Sequence, residues 1–142
     1  MENNLETYSQ WVKITIISDS VLNIMEATVS AGKFHKEHEQ DANLTPEDIN
    51  KIQISAGQNG IICASGASRA MKGTEGSFKI HQGENVVGKY SWDCPYWSSD
   101  NKSIWTDMQD PKNPLFYVHF SPGKGATTGE CIGDVQIELY PN

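Results

Sequence analysis

Apolar and polar residues alternate along most of this chain. In Trp11–Ser18, Val12, Ile14 and Ile16 alternate with Trp11, Lys13 and Thr15. Near the other end, Val135, Ile137 and Leu139 alternate with Asp134, Gln136 and Glu138. Phe78 and Ile80 are set against Lys79 and His81, and Phe116, Val118 and Phe120 against Tyr117 and His119. A period of two puts one face of a strand on a core and the other in water. Further strands are predicted at Val21–Val29, Lys51–Ala56, Gly60–Ala64 and Asn85–Trp92. Turn residues punctuate these runs at Ser18-Asp19-Ser20, Gly57-Gln58-Asn59-Gly60, Gln82-Gly83-Glu84-Asn85 and Ser121-Pro122-Gly123. Many short strands with turn signals at this spacing predict an all-β fold, an antiparallel β-sandwich. One stretch, His35–Asn50, is polar and acidic without alternation. Within it, Thr45-Pro46-Glu47-Asp48 predicts one capped helical turn with Pro at its first position. No linker, repeat or second domain interrupts the pattern, so residues 1–142 read as one domain, with 1–7 a flexible N-terminus.

The densest aromatic stretch is Tyr90-Ser91-Trp92-Asp93-Cys94-Pro95-Tyr96-Trp97, with Trp105 downstream. Proline fixes φ and removes a ladder donor, so Asp93 and Pro95 predict a bend here rather than the middle of a strand. Alternation and a proline kink cannot turn Trp92, Tyr96 and Trp97 all inward, so at least one is expected to be exposed. Tyrosine and tryptophan suit a wet boundary because each has an apolar body and a polar edge. Arg69-Ala70-Met71-Lys72-Gly73-Thr74-Glu75-Gly76 forms a second candidate lip, a glycine-bracketed turn carrying two cations. Such a lip could touch a polar or phosphate-bearing head group. The alternative is a solvated hairpin loop.

Charge narrows the partners. Eighteen acids against eleven bases give a net charge of −7. No basic stripe is available to displace counterions from nucleic-acid phosphates, and docking on an anionic bilayer by charge alone is disfavoured. A neutral or zwitterionic surface, or a protein, fits better. MENNLETYSQ contains two glutamates and no apolar run, and no stretch is long enough to span a bilayer. The expectation is a soluble chain without a signal peptide, cytoplasmic when made and acting outside the cell after release by another route. On that expectation the sequons Asn43-Leu44-Thr45 and Asn101-Lys102-Ser103 carry little weight. Cys63, Cys94 and Cys131 allow either one disulfide plus a thiol or three thiols.

Catalytic signatures are missing. There is no Gly-x-Ser-x-Gly elbow, no His-Glu-x-x-His and no Walker A, and Gly123-Lys124-Gly125 lacks the rest of a phosphate loop. His35-Lys36-Glu37-His38-Glu39-Gln40-Asp41 holds enough nitrogen and oxygen donors for a metal but no defined ligand spacing, which leaves metal binding open.

Four ordered segments resemble the aegerolysin family of small acidic proteins. Ser9-Gln10-Trp11-Val12 is similar to the family's Ala-Gln-Trp-Val opening, and Ser30-Ala31-Gly32-Lys33-Phe34-His35 to its Ser-Trp-Gly-Lys-Leu-His. Gly73-Thr74-Glu75-Gly76-Ser77-Phe78 resembles Gly-Thr-x-Gly-Thr-Phe, and Trp92-Asp93-Cys94-Pro95 reproduces Trp-Asp-Cys-Pro. The order and spacing hold over roughly positions 8 to 140. The resemblance implies an actinoporin-like sandwich that binds sphingolipid-containing membranes, without catalysis or cofactor. It also implies a larger pore-forming partner, perforin-like or another toxin subunit, as in bacterial binary insecticidal toxins. Four departures bear on the ligand. Lys72 stands where the family carries Glu, Ala31 replaces a Trp, Ser91 a Tyr, and Tyr96 a Trp. A cation at position 72 would repel choline or ethanolamine and favour phosphate or carboxylate.

The expected membrane-binding set is therefore Trp97 and Tyr96 as interfacial anchors, Lys72 on the head group, Trp92 supporting the bend from beneath, and Trp11. Asp93 and Pro95 are expected to shape the turn, Asp93 through backbone amides. A carbohydrate-binding module using the same aromatics is the main rival, and a homo-oligomer interface the third reading.

Overall fold

The computed structural model describes residues 10–66, 73–97, 100–128 and 131–142. Eleven strands and two short helices follow in order: β1 Trp11–Ser18, β2 Leu22–Ala31, β3 Lys33–Lys36, β4 Glu39–Leu44, α1 Pro46–Asn50, β5 Gln53–Ile54, β6 Asn59–Ser65, β7 Thr74–Gln82, β8 Asn85–Cys94, β9 Lys102–Asp107, β10 Phe116–Ser121, α2 Gly125–Thr128 and β11 Gly133–Pro141. They form two sheets, one of six strands in the order β10-β11-β1-β6-β3-β4 and one of five in the order β5-β2-β7-β8-β9. The alternating residues of β1 and β11 turn Val12, Ile14, Ile16, Val135, Ile137 and Leu139 into the space between the sheets. There they meet Leu22, Ile24, Phe78, Ile80, Tyr90 and Trp92 from the other layer, all at most 1% exposed.

The sandwich is mostly antiparallel, with one exception: β1 and β11 run parallel, Ile14 opposite Val135 and Ile16 opposite Ile137. Parallel neighbours cannot be joined by a tight turn. Here nearly the whole chain lies between them. Three sequence expectations shift. The strand expected at Lys51–Ala56 contracts to β5, because Ile52 already follows the helical turn and bonds its carbonyl. The polar stretch His35–Asn50 contains the end of β3, all of β4 and α1. β8 runs through Trp92 and Asp93 to Cys94, so the bend begins only at Pro95. The helical turn does form as read: Thr45 Oγ1 accepts from the Asp48 amide at 3.1 Å and Asp48 Oδ2 from the Thr45 amide at 2.8 Å, with Pro46 at the first position.

No disulfide joins the three cysteines. Cys63 and Cys94 are buried, Cys131 half-buried, and burial pushes the thiols of Cys63 and Cys94 up to about 11.

Strand polarity gathers one end of the sandwich. β1, β3, β7, β9 and β11 begin there, while β2, β6, β8 and β10 end there. That end carries Trp11, the Ala31–Gly32–Lys33 corner, Gly73 and the chain leaving Cys94. At the corner Gly32, with φ 75°, passes the chain from the five-stranded to the six-stranded sheet. A Cβ there would stand 2.4 Å from the Ser65 carbonyl oxygen.

Candidate functional site

The site is built outward from Trp92. Its indole is 1% exposed, its N–H donates to Thr74 Oγ1 at 3.0 Å, and Phe34 meets it edge-on at 5.7 Å. Tyr90 stacks beside it at 6.0 Å between ring centroids. Opposite Trp92 in the β7–β8 ladder stands Gly76. A Cβ on Gly76 would lie 2.6 Å from the indole and 2.4 Å from the Thr28 carbonyl oxygen. Two segments far apart in the chain thus converge on one ring: Phe34 of β3 packs it, while Thr74 and Gly76 of β7 satisfy its N–H and leave room for it. Trp92 itself offers no surface to a membrane. It braces the bend from beneath.

Gly73 extends the brace. A Cβ there would meet the Cys94 carbonyl oxygen at 2.2 Å and the Pro95 Cα and Tyr96 N at 2.8 Å, so the bend rests directly on the Gly73 backbone. Beyond Pro95 the chain leaves the sheet. Tyr96 is half-buried and meets Trp97 edge-on at 5.1 Å. Trp97 is 78% exposed, far more than any other large apolar side chain among the described residues. Trp11, half-buried at the start of β1, belongs to the same end, while Trp105 packs against the core. The expectation that at least one aromatic of the bend faces out is met by Trp97. Lys72 and Arg69–Met71 lie outside the described residues.

Asp93 does not cap the turn. It is a β8 residue on the outward face, opposite Glu75 on one side and Lys102 on the other. Its neighbours on that face, Thr28, Ser77, Ser91 and Ile104, floor a shallow groove of about 340 Å³. The Ser30 hydroxyl donates to Glu75 Oε1 at 2.8 Å. Partial burial raises the Asp93 pKa and the adjacent Glu75 carboxylate adds to the shift, while Lys102 opposes it. Two carboxylates held side by side across a ladder repel each other, and such a pair has a standing affinity for a cation. Sequence reasoning missed this pair. The signal was present in the alternation: with Thr74, Gly76, Trp92 and Cys94 inward, Glu75 and Asp93 must both point out.

Among the described residues no group of three or more His, Cys, Asp or Glu side chains is placed to hold a metal, and the His35–Asp41 donors are spread over β3, the turn after it and β4. No helix among them is long and apolar enough to cross a membrane.

The fold is a two-sheet β-sandwich that presents a braced aromatic bend at one end. Residues 9–141 match the aegerolysin family model. The chain belongs to the aegerolysin family. It is 31% identical over 139 residues to Asp-hemolysin of Aspergillus fumigatus, covering 96% of both chains. It is 31% identical over 136 residues to ostreolysin A6 of Pleurotus ostreatus, covering 92% of this chain and 94% of that one. Among solved structures it is similar to IP-1A from Alcaligenes faecalis, with a TM-score of 0.83, 30% identity and coverage of 97% and 95%. RahU protein, solved in complex with a TRIS molecule, superimposes with the same TM-score at 27% identity, covering 95% and 97%.

Proposed function

We propose that this aegerolysin is a non-enzymatic membrane-recognition protein that docks through the Tyr96–Trp97 bend and recruits a larger pore-forming partner. The observation that carries the reading is Trp97: an indole 78% exposed on a bend whose underside is fixed by Trp92, Thr74 and Gly73. Leaving so large an apolar group in water is unfavourable, and a bilayer interface is where its apolar body and polar edge are both accommodated. The name Asp-hemolysin attaches lysis to a relative and supports the same reading here. One sandwich of this size cannot line a wide transmembrane barrel alone, so lysis takes the separate partner, as in a two-component insecticidal toxin.

The groove beside the bend qualifies the head group. Glu75 and Asp93 favour a cationic moiety such as choline or ethanolamine, and Lys102 an adjoining phosphate, so a zwitterionic phospho-head group suits both. Co-sedimentation with vesicles tests the proposal. Phosphatidylcholine, sphingomyelin and ceramide phosphoethanolamine would be compared, each with and without sterol. Binding to at least one mixture is expected, with Trp97→Ala weakening it. Retention by no mixture, or unchanged retention of Trp97→Ala, overturns the reading.

A further inference from the structure

The end of the sandwich opposite the bend carries apolar surface that lipid recognition leaves unused. β8 joins the two ends. Cys94 leads into the bend, while Asn85, at the other end of this ten-residue strand and roughly 30 Å away, borders a shallow cleft of about 420 Å³. Eight large apolar side chains are exposed among the described residues, and five of them, Val21, Met108, Leu115, Tyr117 and Tyr140, sit at this end. Single exposed apolar residues are ordinary, whereas a contiguous group of them marks an interaction site. Four of the five are contiguous. Met108 and Leu115 wall the cleft together with Val86. Leu115 extends the β10–β11 pairing, its carbonyl accepting from the Asn142 amide at 3.0 Å, and Tyr117 and Tyr140 stand opposite each other in that ladder.

The connection from β9 to β10 cannot fold these side chains away, because its backbone is pinned. Gln109 acts as a short substitute strand: its Oε1 accepts from the Phe116 amide at 2.8 Å and its Nε2 donates to the Phe116 carbonyl at 3.1 Å. The Met108 amide donates to the Val87 carbonyl at 3.0 Å. Asp110 Oδ1 accepts from the Lys112 amide at 2.9 Å, and Asn142 Nδ2 donates to the Pro114 carbonyl at 2.9 Å. A loop fixed at both ends and in its middle holds Met108, 40% exposed, and Leu115, 41% exposed, outward as a ready-made surface. Little ordering cost is then left to whatever docks on it.

Charge selects the occupant. Acids surround the patch: Glu84 and Asp110 on the cleft wall, Asp107 at the end of β9, Glu138 accepting from the Tyr140 hydroxyl, and Asp19 acting on the same hydroxyl. Lys112 is the only cation in the β9–β10 connection, and His119 is already paired with Glu138 at 3.0 Å. A second copy would bring the same acidic rim and be repelled. Anionic lipid is repelled likewise, and with the bend docked this end points away from the bilayer. Methionine, leucine and tyrosine inside a charged rim have the anatomy of a protein–protein interface. We propose that Met108, Leu115, Tyr117 and Tyr140 form the docking surface for the pore-forming protein, whose matching face is apolar at its centre and rich in lysine and arginine at its edge. The inference rests on the partner recruitment proposed above and adds where that partner sits.

Biolayer interferometry of the immobilised chain, with a purified perforin-like protein as the probe, measures docking directly, and vesicle co-sedimentation is measured beside it. The wild type is expected to bind the probe. Leu115→Glu is expected to weaken that binding by roughly tenfold or more while vesicle retention stays unchanged. Met108→Glu serves as the second variant if Leu115→Glu does not keep the native melting temperature. Raising salt from about 50 to about 500 mM is expected to weaken probe binding, since the rim charges are exposed. Trp97→Ala should give the opposite pattern, with retention reduced and probe binding unchanged. Equal probe binding by the wild type, Leu115→Glu and Met108→Glu overturns the docking surface and leaves partner recruitment standing. A probe that binds none of them overturns both, while vesicle retention reports on the bend separately.

Discussion

Gly76→Ala is the sharpest test of how the bend is supported. The added Cβ would stand 2.4 Å from the Thr28 carbonyl oxygen and 2.6 Å from the Trp92 ring. Neither neighbour can give way easily, since the first is backbone in the adjacent strand and the second is fixed by Thr74 and Phe34. Overpacking of this kind costs about 1–3 kcal/mol, and two rigid neighbours place it at the upper end. For a chain of 142 residues that corresponds to a melting-temperature drop of roughly 10 °C. Gly57→Ala is the control. Its φ of 76° is left-handed, unlike that of Gly76, but nothing lies within 4 Å of the added Cβ. Only backbone strain opposes it, about 1–2 kcal/mol, partly offset by lost freedom in the unfolded chain. Thermal melts followed by near-ultraviolet circular dichroism report both stability and the environment of Trp92. If Gly76→Ala melts no lower than Gly57→Ala, the tight packing of Trp92 against β7 is not what holds this end of the sandwich.

Other perturbations separate the remaining contributions. Thr74→Val strands the buried Trp92 N–H and is expected to cost about 1–3 kcal/mol in denaturant unfolding; a loss under 0.5 kcal/mol would show that the bond is dispensable. Trp97→Ala removes a side chain that could bury roughly 120–200 Å² in a membrane, worth about 3–5 kcal/mol at full immersion. Half immersion predicts a loss of vesicle affinity near 30-fold with an unchanged melting temperature. Burial lowers the pKa of His35, and its backbone bond to Lys36 opposes the shift. The unfolded chain therefore takes up this proton first as pH falls through about 6.5. Stability held above that pH is lost below it, and His35→Gln is expected to flatten the slope between pH 7 and 5. Asp93→Asn relieves repulsion from Glu75 and is expected to stabilise the fold by about 0.5 kcal/mol at neutral pH. Because the Asp93 pKa is raised in the folded state, that advantage should shrink as acid protonates the wild-type carboxylate. Thiol titration of the native protein should label Cys131 ahead of the buried Cys63 and Cys94.

How much of this was legible in the sequence depends on what each strand uses to face the core. β1 and β11 bury isoleucine, valine and leucine at every second position, so their alternation could be read directly. β4 instead buries an amide, Gln40, and a buried amide in an acidic stretch looks the same as a solvated loop. β9 was not anticipated either, since its half-buried Ser103 and Trp105 alternate with an exposed Ile104. The bend was legible as an aromatic surplus that could not all be buried. Which ring faces out depends on β8 continuing through Cys94, and that continuation is set by pairing with β7 and β9 rather than by local residues. The Glu75–Asp93 pair required register, which a single sequence does not carry.

The placement of the family-like residues alters what their presence implies. Phe34, Thr74, Gly76, Trp92 and the backbone of Gly73 hold one another, so the agreement of residues 73, 74, 76 and 92 with the family pattern testifies to a common scaffold. Under the proposed function, ligand choice falls to side chains that the scaffold presents outward: Tyr96 and Trp97 on the bend, Glu75, Asp93 and Lys102 in the groove. Two of the four departures from the family pattern, Tyr96 and Ser91, fall on that outward set, with Ser91 on the groove floor. Ala31 lies at the corner where β2 gives way to β3. A substitution there changes surface without disturbing the Trp92 hub, because none of these side chains takes part in its packing or its hydrogen bond. A chain of this family can therefore keep the fold intact and change the head group it prefers. On this reasoning, the order of lipid preference should move with residues 31, 75, 93, 96 and 102 while stability stays with residues 34, 74, 76 and 92.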